Sequence, residues 1–212
     1  MKLYNYFRSS AAYRVRIALN LKGLGYEYIA VHLTRGEQRA ANYLVLNAQA
    51  LVPTLVDEGT TLTQSLAIIE YLDERHPTPP LLPATASARA RVRAIALAIA
   101  CDIHPLNNLR VLQYLTRVLD VGEDAKNAWY AHWIELGLAA LETQLANDAA
   151  TGTFCHGDGP TLADICLVPQ LANARRYAVP LGPYPTLLRI DDNCRRLPAF
   201  ASAAPDRQPD AA

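Results

Sequence analysis

The residues best placed to do chemistry lie in the stretch YFRSSAAYRVRIAL, residues 6–19. Arg8, Ser9 and Ser10 stand where an apolar run (Leu3, Tyr4, Tyr6) gives way to a helical pattern. A helix N-terminus carries unsatisfied N–H groups and a partial positive charge, so it attracts anions. The same residues also fit a plain helix cap, with Ser9 or Ser10 as the N-cap. A second such place is TQSLAIIEYL, where Gln64 and Ser65 open a helix. Ser65 suits an N-cap, and with the first helical amides it equally suits a carboxylate. Between the two, Val52-Pro53 stands at the start of a strand pattern. An X-Pro bond is where a cis peptide is inexpensive, and a cis bond here would turn the Val52 N–H and C=O outward to pair with an extended peptide. The plain alternative is a strand-initiating proline.

Further along, DIHPLNNLRVL places His104 and Asn108 on one helical face, with Arg110 pointing elsewhere around the turn. Polar packing in a helix bundle explains the first two equally well, and an ordinary surface charge explains Arg110 and Arg176. Thr161 and Asp164 in GDGPTLADICL form a capping box with Asp in place of Glu, which is a structural signal.

The elements that must position these residues fall into two groups. KLYNYF is a strand, Ala12–Lys22 a helix ended by Gly23 and Gly25, and YEYIAVHL (26–33) a second strand. That order implies a parallel pair with a right-handed crossover. RGEQRAANYLVLN is weakly helical, PTLVDEGTTLT a hairpin turning at Glu58-Gly59, and SLAIIEYLDERH (65–76) a helix. The order βαβ-α-ββα is that of a thioredoxin-like domain. A proline-rich stretch, HPTPPLLPATAS, follows and reads as a linker. Beyond it the pattern is helical, over 88–119, 125–147 and 161–178, and the small polar tail ASAAPDRQPDAA is expected to fray. The expected organisation is α/β plus all-α: a domain at 1–78, a linker at 79–86 and a helical domain at 87–212.

Composition narrows the functional classes. The 212 residues are 51% hydrophobic and 19% charged, with 20 acidic against 20 basic side chains. This suits a globular protein and argues against nucleic-acid or anionic-membrane binding, which want a basic surface. No run of about 20 apolar residues offers a membrane span, and the N-terminus does not have the layout of a signal peptide. Cys101, Cys155, Cys166 and Cys194 are scattered without a C-x-x-C, which argues against a disulfide framework, a metal site and thioredoxin-type redox chemistry. A reducing cytoplasm is the expected location.

Taken together, the pieces resemble a glutathione transferase over essentially the whole chain. Within that superfamily YFRSSAAYRVRIAL is similar to the zeta-class signature, with Ala11 and Tyr13 where the family usually has Cys and Trp. The resemblance implies glutathione as cofactor and Ser9 as partner of its thiolate, with Ser10 and Ala11 beside it. Gln38, Val52, Gln64 and Ser65 match glutathione-binding places. His104 and Asn108 match places where the second domain faces glutathione, and His104 would bond the sulfur or a substrate oxygen.

Zeta-class enzymes are cis–trans isomerases of maleylacetoacetate or maleylpyruvate. The expected activity is conversion of maleylpyruvate to fumarylpyruvate in aromatic degradation through gentisate. In that chemistry a thiolate adds to the double bond, the bond rotates, and the thiolate leaves. The small dicarboxylate substrate calls for arginine, whose planar fork grips carboxylates bidentately. Arg8, Arg110 and Arg176 are the expected clamp, with Arg175 a rival to Arg176. A missing cysteine at Ala11 leaves a serine mechanism intact. The alternatives are maleylacetoacetate as substrate, a conjugating transferase with an apolar pocket, and a non-enzymatic binding module, which would have no need of a thiolate site. The resemblance also implies a homodimer.

Overall fold

A computed structural model describes residues 1–211. In chain order the elements are β1 (Lys2–Asn5), α1 (Ser10–Leu21), β2 (Glu27–Ala30), α2 (Ala41–Leu44), β3 (Thr54–Asp57), β4 (Thr60–Thr63), α3 (Ser65–Arg75), α4 (Ala86–Leu97), α5 (Leu109–Arg117), α6 (Glu123–Ala146), α7 (Leu162–Arg176), α8 (Pro185–Arg195) and α9 (Pro198–Ala201). Two units emerge from the contacts, one of residues up to Leu81 together with Arg196 onward, the other Leu82–Arg195. Among the described residues no helix is long and apolar enough to cross a membrane.

The first unit is built on a four-stranded sheet ordered β2-β1-β3-β4. β1 pairs in parallel with β2, Leu3 opposite Tyr28, so a crossover is obligatory, and α1 supplies it. β3 runs antiparallel to β1 and closes a hairpin with β4. Its turn places Glu58 at φ 48° and Gly59 at φ 82°, the pair of positive φ values that a two-residue hairpin needs. α1 is buried almost all round, from Ala12 to Leu19, and packs against α3 and α9. At its end the buried Lys22 ammonium donates to Asp73 at 2.6 Å and to the carbonyls of His76 and Pro79, tying α1 to the exit of α3. The thioredoxin-like order read from the sequence is the observed one.

The second unit is helical throughout. α6 turns Tyr130, Ile134, Leu138, Leu141 and Leu145 inward at spacings of three and four. α7 is buried on nearly every face, as befits a central helix.

The structure departs from the sequence reading in four places. The helix expected over 88–119 is interrupted: after α4 the chain takes a π turn (Ala98–Ile103), then a 3-10 turn (His104–Asn107), and Asn108 is extended before α5. Pro105 has no N–H to return the chain to the α ladder, which accounts for the 3-10 turn that follows the π turn. The π turn lies so close to α6 that a Cβ on Gly137 would stand 2.2 Å from Ile103 Cδ1. His104 and Asn108 therefore do not share one helical face. α8 was not anticipated, although Leu187, Ile190 and Cys194 stand at helical spacing and are buried.

Ser65 does not cap its helix: Gln64 is the N-cap and Ser65 the first helical residue. Finally, the tail expected to fray is packed through residue 211. Phe200 and Ala203 are buried, and the chain from Arg196 belongs with the first unit, so the helical unit ends well before the expected 212.

Candidate active site

The short link from β1 to α1 sets up the first anion site. Ser9 is extended (φ −70°, ψ 115°) and is the N-cap of α1, its Oγ accepting the Ala12 N–H at 3.2 Å. A hydroxyl that accepts there keeps its own hydrogen to donate. α1 has no acidic residue in its first turn, so no carboxylate of the helix itself offsets the positive end. Ser10 is buried and Ala11 half-buried in that turn. Arg8 is exposed, its guanidinium 4.9 Å from the Phe7 ring centroid. The helix start itself offers an anion a donor hydroxyl and helix amides.

The second helix start is linked to α1. Arg14, on the buried face of α1, donates from Nη1 to Ser65 Oγ at 3.3 Å, which joins α1 to the start of α3. Gln64 sits at φ 69°, ψ 116°, a conformation that costs a non-glycine residue about 1–3 kcal/mol and that clusters at ligand sites. Its side chain donates to Gln49 Oε1 at 2.9 Å. α3 likewise has no acid in its first turn.

The Val52-Pro53 peptide is cis, and among the described residues the Val52 N–H and C=O take no part in the backbone ladder or turn hydrogen bonds. Val52 shares one apolar cluster with Tyr6 and Phe7, the residues just before Arg8. Gln38 is buried, and its Oε1 has no hydrogen-bond partner among the described residues. The first unit thus links α1 to Ser65 through Arg14, and packs Val52 against the residues just before Arg8 and Ser9.

In the second unit, His104 is half-buried and opens the 3-10 turn. Asn108 is the N-cap of α5, its Oδ1 accepting the Arg110 N–H at 3.1 Å, while the Arg110 side chain is exposed. The choice between Arg175 and Arg176 turns on their partners. Arg175 donates to the buried Asp191 carboxylate at 2.6 Å. Arg176 instead lies 4.9 Å over the ring of Tyr177, which stacks on Tyr130 at 3.6 Å. Burial pushes the Tyr130 phenol up, so it stays neutral, and Asn173 donates to its oxygen.

Sequence reasoning passed over Arg14 and the Tyr130–Tyr177 stack as working parts. Arg14 had a usable signal, an arginine set among the apolar positions of a helix. The stack had none, because its partners are 47 residues apart.

A thioredoxin-like sheet with two open helix starts and a cis-proline strand, in one chain with a helical unit, defines the glutathione transferase fold. The family model of the glutathione S-transferase N-terminal domain matches residues 1–74, and that of the C-terminal domain matches 127–201. The chain belongs to the zeta class of glutathione transferases, the family of maleylacetoacetate and maleylpyruvate isomerases.

It is 55% identical to a probable maleylacetoacetate isomerase of Vibrio cholerae, over 99% of this chain and 97% of that protein. A solved holo structure of a maleylpyruvate isomerase, described as a bacterial zeta-class enzyme, is 52% identical, with a TM-score of 0.98 and complete coverage of both chains. A maleylacetoacetate isomerase from Methylobacterium extorquens, solved with malonate and glutathione bound, is 42% identical, also at a TM-score of 0.98 and complete coverage of both.

Proposed function

We propose that this chain is a glutathione-dependent cis–trans isomerase that converts maleylpyruvate to fumarylpyruvate. The observation that carries the reading is Ser9: a helix N-cap whose hydroxyl is free to donate, beside Arg8, at a helix start with no acid of its own. The site fits glutathione, an extended peptide with a carboxylate at each end. Val52 offers a backbone N–H and C=O that are unpaired among the described residues for its main chain. Gln64, Ser65 and the first amides of α3 suit a carboxylate, and the orphaned Gln38 Oε1 suits an N–H donor.

When bound, glutathione supplies a thiolate for reversible addition to a conjugated cis double bond. A free thiol has a pKa of about 8.5, so the protein has to favour the ionised form. Ser9 does so by donating to sulfur, and the first-turn amides at Ser10 and Ala11 add the field of the helix end. Arg8, Arg110 and Arg176 hold the substrate carboxylates and stabilise charge on its carbonyl oxygen. Arg176 serves rather than Arg175, because Arg175 is engaged by Asp191. His104 hydrogen-bonds the sulfur or a substrate oxygen, with Asn108 beside it. Ala11 in place of cysteine leaves these steps untouched.

A homodimer and a cytoplasmic location belong to the same reading. All four cysteines are free thiols, which is compatible with a reducing compartment. The second reading, favoured by the 55% identity to the Vibrio cholerae protein, is maleylacetoacetate as substrate. Following the absorbance of each acid with purified protein, with and without glutathione, decides between them. Turnover that requires glutathione without consuming it is expected, and the ratio of the two kcat/KM values names the substrate. Absence of turnover with both acids would remove the isomerase reading.

A further inference from the structure

The roles above leave unused a network at the far end of the chain. Asp210 reaches back to the first unit, where its Oδ2 accepts the Phe7 N–H at 3.1 Å and its Oδ1 accepts the Tyr28 hydroxyl. Phe7 directly precedes Arg8 and Ser9. Its carbonyl is held by Arg16, a wholly buried side chain that donates from Nη2 at 3.1 Å. The same guanidinium donates from Nε to the Ala203 carbonyl and from Nη1 to Asn5 Oδ1, both at 3.0 Å.

Both polar groups of Phe7 are therefore fixed through the tail, one by its carboxylate and the other by a guanidinium that also grips it. Gln208 folds the tail on itself by donating to the carbonyls of Ser202 and Ala204. Ala211 packs on the cluster of Tyr6, Phe7, Val31, Tyr43 and Val52, which contains one flank of each of two site segments.

The physical need for such a support is local. β1 ends at Asn5 and α1 starts at Ser10, so residues 6–9 lie outside both ladders. Within that link one backbone bond helps, from the Ser9 N–H to the Tyr6 carbonyl at 2.9 Å. Phe7 is buried, and a buried amide without a partner is costly. A hydroxyl and helix amides hold a sulfur only while their orientation is fixed.

We propose that residues 203–211 are a positioning strap for the thiolate end of the site, with Asp210 as the positioning residue. The inference rests on the reading of the Ser9 site as glutathione-binding.

The full-length protein tests it through Asp210→Ala, Asp210→Asn and Tyr28→Phe. Three quantities are read: the glutathione Kd by calorimetry, the ultraviolet absorbance of the bound thiolate, and hydrogen exchange of the Phe7 amide. Asp210→Ala is expected to weaken glutathione binding about tenfold, the scale of one charge-assisted hydrogen bond, with a matching loss of thiolate absorbance and faster Phe7 exchange. Asp210→Asn keeps an acceptor for the Phe7 N–H and is expected to recover most of each. Tyr28→Phe, which leaves the chain trace and Asp210 in place, is expected to lose about threefold, and it carries the test if the alanine variant does not fold.

Wild-type affinity and thiolate absorbance in both Asp210→Ala and Tyr28→Phe would overturn the strap while leaving the site. A wild-type protein that binds no glutathione would overturn the site reading itself.

Discussion

Two kinds of helix start occur in this molecule, and they put the same local device to opposite use. At α7 the device is closed. Thr161 Oγ accepts the Ala163 N–H, and the wholly buried Asp164 accepts the Thr161 N–H through Oδ2 and the Cys155 N–H through Oδ1, both at 2.8 Å. The helix supplies its own anion, and the positive end is used up in the fold. At α1 and α3 the device is open. Ser9 and Gln64 precede first turns with no acid, and the available groups are donors: a serine hydroxyl, helix amides and Arg8. The comparison teaches that a first-turn carboxylate uses up a helix N-terminus within the fold, whereas a first turn without one leaves that end open to an external anion.

Breaking either kind of start should therefore fail in a different observable. Ser9→Ala is expected to lower kcat/KM about 10²-fold, the usual effect of removing one donor from a developing anion, and to abolish the bound-thiolate absorbance at neutral pH. Its effect on stability should stay near 1 kcal/mol, the worth of an N-cap. Asp164→Ala should do the reverse: a loss of about 3 kcal/mol in unfolding free energy by denaturant titration, because buried N–H groups lose their acceptor, with kcat per folded molecule retained. If Asp164→Ala removed the thiolate signal, or Ser9→Ala unfolded the protein, the contrast would be wrong.

Smaller effects sharpen it. Arg176→Ala is expected to raise KM for the diacid about tenfold while leaving the glutathione Kd unchanged, and Arg175→Ala to act on stability instead. Tyr177→Leu removes the ring beneath Arg176 and should raise KM a few-fold, within the range of a cation–π contact.

The smallest effect concerns the loop leading into α7, where Arg91 donates to Asp148 at 2.6 Å and holds its carboxyl below the usual carboxylate range. A carboxyl depressed in the folded state stabilises above its unfolded value and loses that contribution as pH falls through the folded one. Asp148→Asn should thus have a lower Tm than the wild type at neutral pH, with the gap closing in acid below about pH 3.9.

Much of the first unit, and one helix start of the second, was legible because the signals are local. The crossover over α1, the Glu58-Gly59 turn and the Thr161–Asp164 box each depend on residues a few positions apart, and the structure contains all three. Ser9 was legible as one of two possible caps, and the structure selects it over Ser10. The helix starting at Ser65 was legible, but its cap was not, since Gln64 adopts a positive φ that its residue type does not announce. The break around Pro105 has a local signal, the proline itself, within a stretch whose apolar pattern otherwise reads as one helix.

By itself the sequence determined the order of elements in the first unit and the helix starts near Ser9, Ser65 and Thr161. These follow from periodicity, caps and turn residues, which act over one or two turns of chain. Tertiary structure alone decided what those elements hold. It set Arg14 against Ser65, committed Arg175 to Asp191 while Arg176 lies on Tyr177, and brought Asp210 to the Phe7 amide from 203 positions away. The reason is that a small polar tail such as ASAAPDRQPDAA lacks the apolar periodicity to order itself. Its order comes from buried partners, Arg16 and the Phe7 peptide, that exist only once β1 and α1 have folded around them.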